Sequence, residues 1–128
     1  MKREIKFRGY CQHDNIWFYG DLIQMAENDI RILPFDADDD FNVDPESVGQ
    51  FTGLCDKNGI EIYEGDIVNI ESDLWFMGDY EEEEVYWCGR GFYPWTDASE
   101  QINIAFIAST EPKHIEVVGN IYTKQPKI

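Results

Sequence analysis

The chain has 128 residues, 43% hydrophobic and 15% aromatic, which is enough apolar material for one domain with a real core and excludes a disordered polymer. Its charge is lopsided, with 26 acidic residues against 10 basic ones and a net charge of -16. Such a surface repels phosphate and anionic lipid, which argues against direct nucleic-acid binding and against membrane binding.

The first strand is expected over residues 4–10, with Ile5, Phe7 and Gly9 on one face and Glu4, Lys6 and Arg8 on a charged outer face. A polar break at 12–15 makes a hairpin loop to a second, aromatic-rich strand, Ile16-Trp17-Phe18-Tyr19-Gly20, which extends through 22–25. A third strand, 30–33, stops at Pro34. Residues 36–45 are acidic and turn-rich. Asp36, Asp38 and Asp40 have the opening spacing of a calcium loop, but the glycine position holds Phe41 and the final glutamate position holds Ser47, so a solvated acidic loop is expected instead. Asp44 then caps one helical turn that starts at Pro45.

Residues 48–68, V-G-Q-F-T-G-L-C-D-K-N-G-I-E-I-Y-E-G-D-I-V, carry the densest turn signals. Lys57-Asn58-Gly59 predicts a tight I′ hairpin turn, and Tyr63-Glu64-Gly65-Asp66 a second turn in which the Asp66 carboxylate accepts backbone N–H groups. A strand follows over 66–71, with Val68 and Ile70 on one face. Residues 72–84 end in four adjacent glutamates and are expected to be a long exposed excursion. Strands resume at 85–88, at 101–108 and at 115–117, and Pro94 keeps the aromatic run 92–95 off any central strand. About eight to ten short strands and no convincing amphipathic helix predict an all-β fold. One domain is expected over 1–128, with N-terminal strands 1–47 packed on a barrel-like part 48–123.

Reactive groups are scattered. Cys11, Cys55 and Cys88 form no Cys-x-x-Cys pair, so the chain reads as reduced and cytoplasmic. These cysteines with His13 and His114 lack the spacing of a zinc site, and Cys11 or Cys55 with His114 lacks the turn of a cysteine nucleophile. Glu64 and Asp66 flank Gly65, but a turn held by a carboxylate explains them better than acid–base catalysis. No catalytic, metal or cofactor site is expected. The aromatics Trp75, Phe76, Trp87, Phe92, Tyr93 and Trp95 are candidates for an interface with another protein. Lys2, Arg3, Lys6 and Arg8 at one end and Lys113, Lys124 and Lys127 at the other make one modest basic patch if both termini meet in one sheet.

Three blocks resemble the YopX family of phage and prophage proteins: I-K-F-R-G-Y at 5–10 with W-F-Y-G-D-L-I at 17–23, then G-Q-F-T-G-L-C-D-K-N-G-I-E-I-Y-E-G-D-I-V at 49–68, then I-E-V-V-G-N-I-Y at 115–122. The resemblance implies a mainly β fold with a small SH3-like barrel and oligomeric assembly in a bacterial host. No catalytic residue is established for the family, so none is carried over. It marks Gly53, Asp56, Gly59, Tyr63, Gly65 and Asp66, with Asn58 beside them, as the residues that matter. The functional expectation is an accessory protein that binds an unidentified phage or host protein and forms a homo-oligomer. The alternative is an acidic mimic of nucleic acid that inhibits a host enzyme.

Overall fold

The computed structural model describes residues 4–71, 80–87, 92–93 and 115–123. The fold is mostly β, with antiparallel sheets and, among the described residues, no long helix. The strands are β1 (Phe7–Cys11), β2 (Ile16–Ala26), β3 (Asp29–Pro34), β4 (Phe41–Val43), β5 (Gly49–Cys55), β6 (Glu61–Tyr63), β7 (Asp66–Ile70), β8 (Tyr80–Glu84), β9 (Tyr86–Trp87), β10 (Phe92–Tyr93) and β11 (Ile115–Asn120). The chain divides into two compact units, Met1–Gly53 and Leu54–Ile128.

In the first unit, the strands run β4-β3-β2-β1-β5 across the sheet. β1 meets β2 from Phe7↔Gly20 to Cys11↔Ile16, and the four-residue loop between them ends on Asn15 at φ 54, a left-handed position that asparagine tolerates. The sheet curls until its first and fourth strands touch. A Cβ on Gly9 of β1 would stand 2.6 Å from the side chain of Val43 in β4, so only glycine permits the approach. Asp44 N–H donates to Tyr10 O at 2.9 Å, and Tyr10 N–H donates to Ser47 Oγ at 2.7 Å. The 3₁₀ turn Pro45–Ser47, capped by the Asp44 carboxylate on Glu46 N–H, then delivers β5 to the free edge of β1, where Arg8 pairs with Gly49. Ile30, Ile32 and Val43 form the core, with Phe7, Phe18, Leu22 and Val48 packed on it and Phe18 stacked on Phe41 at 4.3 Å.

The outer face of β1 differs from the expected solvated charge. Arg8 is buried, its guanidinium 4.6 Å from the centre of the Trp17 ring, and the Lys6 ammonium lies 5.0 Å from the Phe51 ring centre while binding Glu4 at 2.7 Å. A cation can lie flat on an aromatic ring instead of reaching for water. Ile5, expected on the inner face, is exposed because β1 begins only at Phe7.

In the second unit, β7 lies between β11 and β8, and β9 pairs with β10 as a two-stranded ribbon. Ile62, Val68, Ile70, Val85 and Ile115 form its core, with Leu54 and Val117 against them. The glutamate run is not an excursion. Tyr80–Glu84 is a strand with Ile67↔Glu84, Val68↔Glu83 and Ile70↔Tyr80 in register. A bulge carrying Glu82 at φ 55 breaks the ladder, and Asn69 Oδ1 accepts Glu82 N–H there at 2.8 Å. Among the described residues β8 lies at the edge of its sheet, a position where charged side chains are well tolerated. Residues 72–79 of the expected excursion, and the expected strand 101–108, lie outside the described residues, as does much of the barrel-like part 48–123. β1 and β11 stand in separate sheets, and Lys2, Arg3, Lys113, Lys124 and Lys127 of the expected basic patch lie outside the described residues. Among the described residues, no helix is long and apolar enough to cross a membrane.

Candidate functional site

The Asp56 turn joins the central and closing blocks of the sequence. Gly59 N–H donates to Asp56 O at 3.0 Å and Asp56 N–H to Ile60 O at 2.8 Å, which closes the turn between β5 and β6. Gly59 sits at φ 80, whereas Asn58 does not have positive φ. This excludes the I′ turn expected from Asn-Gly, which needs both residues left-handed. The physical reason is Asp56. Its Oδ1 accepts the N–H groups of Asn58 at 2.8 Å and Ile60 at 3.0 Å, so the carboxylate selects a turn whose amides converge on it and leaves only the glycine left-handed.

The other oxygen, Asp56 Oδ2, accepts Val117 N–H at 2.9 Å, and Lys57 N–H donates to Ile115 O at 2.9 Å. The turn therefore takes the place of a further strand along the outer edge of β11, whose inner edge pairs with β7. A salt bridge from Lys57 to Glu116 at 3.8 Å, both ends half-exposed, adds little to this.

A second turn works alike. Gly65 takes φ 95, and the Asp66 carboxylate accepts Tyr63 N–H at 2.7 Å. Gly65 N–H donates to Val85 O at 2.7 Å, and its carbonyl accepts Ile121 N–H at 2.8 Å. Tyr63 is buried and its hydroxyl donates to Glu61 Oε1 at 3.0 Å. Asp56 and Asp66 are 3% and 2% exposed, so both carboxylates face backbone amides and not solvent. Gly53, at φ 90 within β5, has open space where a Cβ would go, so conformation alone calls for glycine there.

The remaining candidates are dispersed. Cys55 is exposed, whereas Cys11 is buried with its thiol 3.8 Å from Asp14 Oδ2. Cys88 and His114 lie outside the described residues, as do Trp75, Phe76 and Trp95. Trp87 is in β9, and Phe92 and Tyr93 form β10, with Phe92 opposite Trp87. No group of three His, Cys, Asp or Glu side chains among the described residues is placed to hold a metal ion. In the first unit, Arg31 forks onto both Asp29 oxygens at 3.0 and 3.2 Å and reaches Asp40 at 3.4 Å. The hydrogen bond from Arg31 and its charge hold the Asp29 carboxyl below its ordinary range, with a further contribution from Asn42. This cluster pins one side of the acidic loop.

Residues 6–127 match the family model described as YopX protein. The chain belongs to the YopX family. No curated protein matches it, and no solved structure does. The YopX match spans nearly the whole chain, so it includes both the Asp56 turn and β11, which that turn holds. The bonds made by Val117 and Ser47 are not legible from the sequence. Neither carries a local signal, because Val117 contributes a backbone amide and Ser47 a single hydroxyl to a partner remote in sequence.

Proposed function

We propose that this YopX-family protein is a phage- or prophage-encoded accessory protein of the bacterial cytoplasm that acts by binding protein partners and by self-assembly. The observation that supports this reading best is the use made of the motif aspartates. Both oxygens of Asp56, and the Asp66 carboxylate, bind main-chain N–H groups. A carboxylate whose oxygens are already taken by main-chain N–H groups inside the fold has little left to offer a substrate or an incoming ligand. The motif is thus a scaffold, and recognition belongs to side chains on the surface, where Ile5, Met25 and Phe35 are each at least 60% exposed. A chain of charge -16 that associates with copies of itself does so through apolar or charge-balanced patches, because its acids repel.

Light scattering at micromolar concentration tests self-assembly, with a mass that is a whole multiple of the chain expected. Affinity recovery from phage-infected cells tests partner binding, with one or a few proteins retained at high salt. A monomeric mass together with no retained protein overturns the reading.

A further inference from the structure

We propose that Asn58-Gly59 is a site of spontaneous deamidation that the Asp56 turn holds in check, so that conversion there follows local opening of the turn. The chemistry is intrinsic to the pair. The Gly59 backbone nitrogen loses its proton and attacks the Asn58 side-chain carbonyl carbon, and the amide nitrogen leaves as ammonia, carrying that proton. The resulting five-membered imide is opened by water at either carbonyl, giving aspartate or isoaspartate. Glycine makes the attack easy because no side chain shields its nitrogen. Both residues are exposed, so burial offers no protection.

The protection comes from hydrogen bonds. The attacking nitrogen is the one whose N–H donates to Asp56 O at 3.0 Å. Asn58 N–H and Ile60 N–H, on either side, are both fixed on Asp56 Oδ1. Bringing the Gly59 nitrogen onto the Asn58 side chain requires rotation of the main chain between these anchors, which breaks them. Asp56 is itself held by Val117 N–H on Oδ2, so the opening that exposes the nitrogen also loosens β11. The change is one-way. Isoaspartate adds a methylene to the main chain between positions 58 and 59, which displaces the amides that converge on Asp56, and either product adds a negative charge near it.

The test follows the mass and the isoaspartate content of the peptide containing Asn58, in mildly alkaline buffer, for the folded protein and for the same chain in urea. Conversion in the folded protein is expected to be at least severalfold slower than in urea. Gly59→Ala in urea is expected to slow it strongly, which identifies the imide route. Val117→Pro removes the donor to Asp56 Oδ2 while leaving Asn58-Gly59 intact, and is expected to speed conversion in the folded state. Asp56→Asn, which keeps the side-chain shape, serves the same purpose if the proline variant fails to fold. Equal rates for the folded and urea-unfolded wild-type chain, or no conversion in urea, overturn the proposal.

Discussion

The carboxylate of Asp56 accepts the backbone N–H of Val117 at 2.9 Å, across 61 residues of chain. One side chain thereby closes its own turn and fixes the edge of a strand near the other end of the sequence. Removing it leaves three amides, those of Asn58, Ile60 and Val117, without their acceptor. Asp56→Ala is therefore expected to cost about 3 kcal/mol, since a stranded buried donor costs roughly 1–3 kcal/mol and these three, being only partly buried, will in part find water. Asp56→Asn keeps one carbonyl oxygen for the turn but turns an NH₂ toward Val117, and should fall between. Thermal and urea melts followed by circular dichroism check the order wild type, Asn, Ala. Equal stability of all three would remove the structural role assigned here.

The glycines divide into two kinds, and substitution separates them. At Gly53 and Gly59 the φ values are 90 and 80, with open space around an added Cβ. Alanine there is expected to cost about 1 kcal/mol, all of it backbone strain. At Gly20 a Cβ would collide with the Leu33 carbonyl oxygen and stand 2.7 Å from Pro34 Cα, so the neighbouring main chain has to move. Gly20→Ala is expected to cost about 3 kcal/mol or to prevent folding. Urea midpoints of the three variants test the ranking, and Gly20→Ala as mild as Gly53→Ala would contradict the close approach of β3 to β2.

Much of this architecture is legible along the chain, and what is missed has a common cause. Alternation locates β1 and β7, an aromatic run locates β2, Pro34 marks the end of β3, and Asp44-Pro45 foretells the capped 3₁₀ turn, because each signal is confined to a few adjacent residues. The Asn-Gly turn type is missed because Asp56, two residues before Asn58, overrides the preference of the dipeptide. The strand Tyr80–Glu84 is missed because four adjacent glutamates look incompatible with pairing, and its partner β7 and the bulge at Glu82 are visible only in the folded chain. Arg8 is read as solvated because its partner, Trp17, lies on the next strand. In the candidate site the residue types are visible as motif letters, but their purpose is not. Asp56 is informative only beside Val117, and that proximity is a property of the folded chain.

The Asp29–Arg31 pair gives a pH signature of known sign. The Arg31 hydrogen bond lowers the Asp29 pKa from its ordinary 3.8 in the folded protein. A depressed folded-state pKa contributes stability that is fully present above the unfolded value, and it is lost as pH falls through the folded value. The contribution therefore disappears only below about pH 4 and leaves neutral stability unaffected by titration. Arg31→Gln is expected to raise the Asp29 midpoint toward the ordinary value in a carboxyl-carbon NMR titration. The acid end of the stability curve should flatten slightly, because the pair is exposed. An unchanged Asp29 midpoint would show that Arg31 does not hold it in solution.

Thiol chemistry gives a further test of the burial pattern, one that does not depend on any function. Cys55 is exposed at the end of β5, whereas Cys11 is buried at the end of β1 beside Asp14. A reagent that must reach the sulfur will meet the first directly and the second only when the first unit opens. In a Cys88→Ser background, one thiol per chain is expected to react promptly with an aromatic disulfide reagent, and peptide mapping should assign it to Cys55. The second should appear only on addition of denaturant, with a rate that rises as the protein is destabilised. Gly20→Ala, which disturbs the sheet that carries Cys11, should bring that second reaction forward without changing the first. Prompt labelling of both thiols in the native protein would mean that the curl joining β1 to β4 and the capped turn is open in solution.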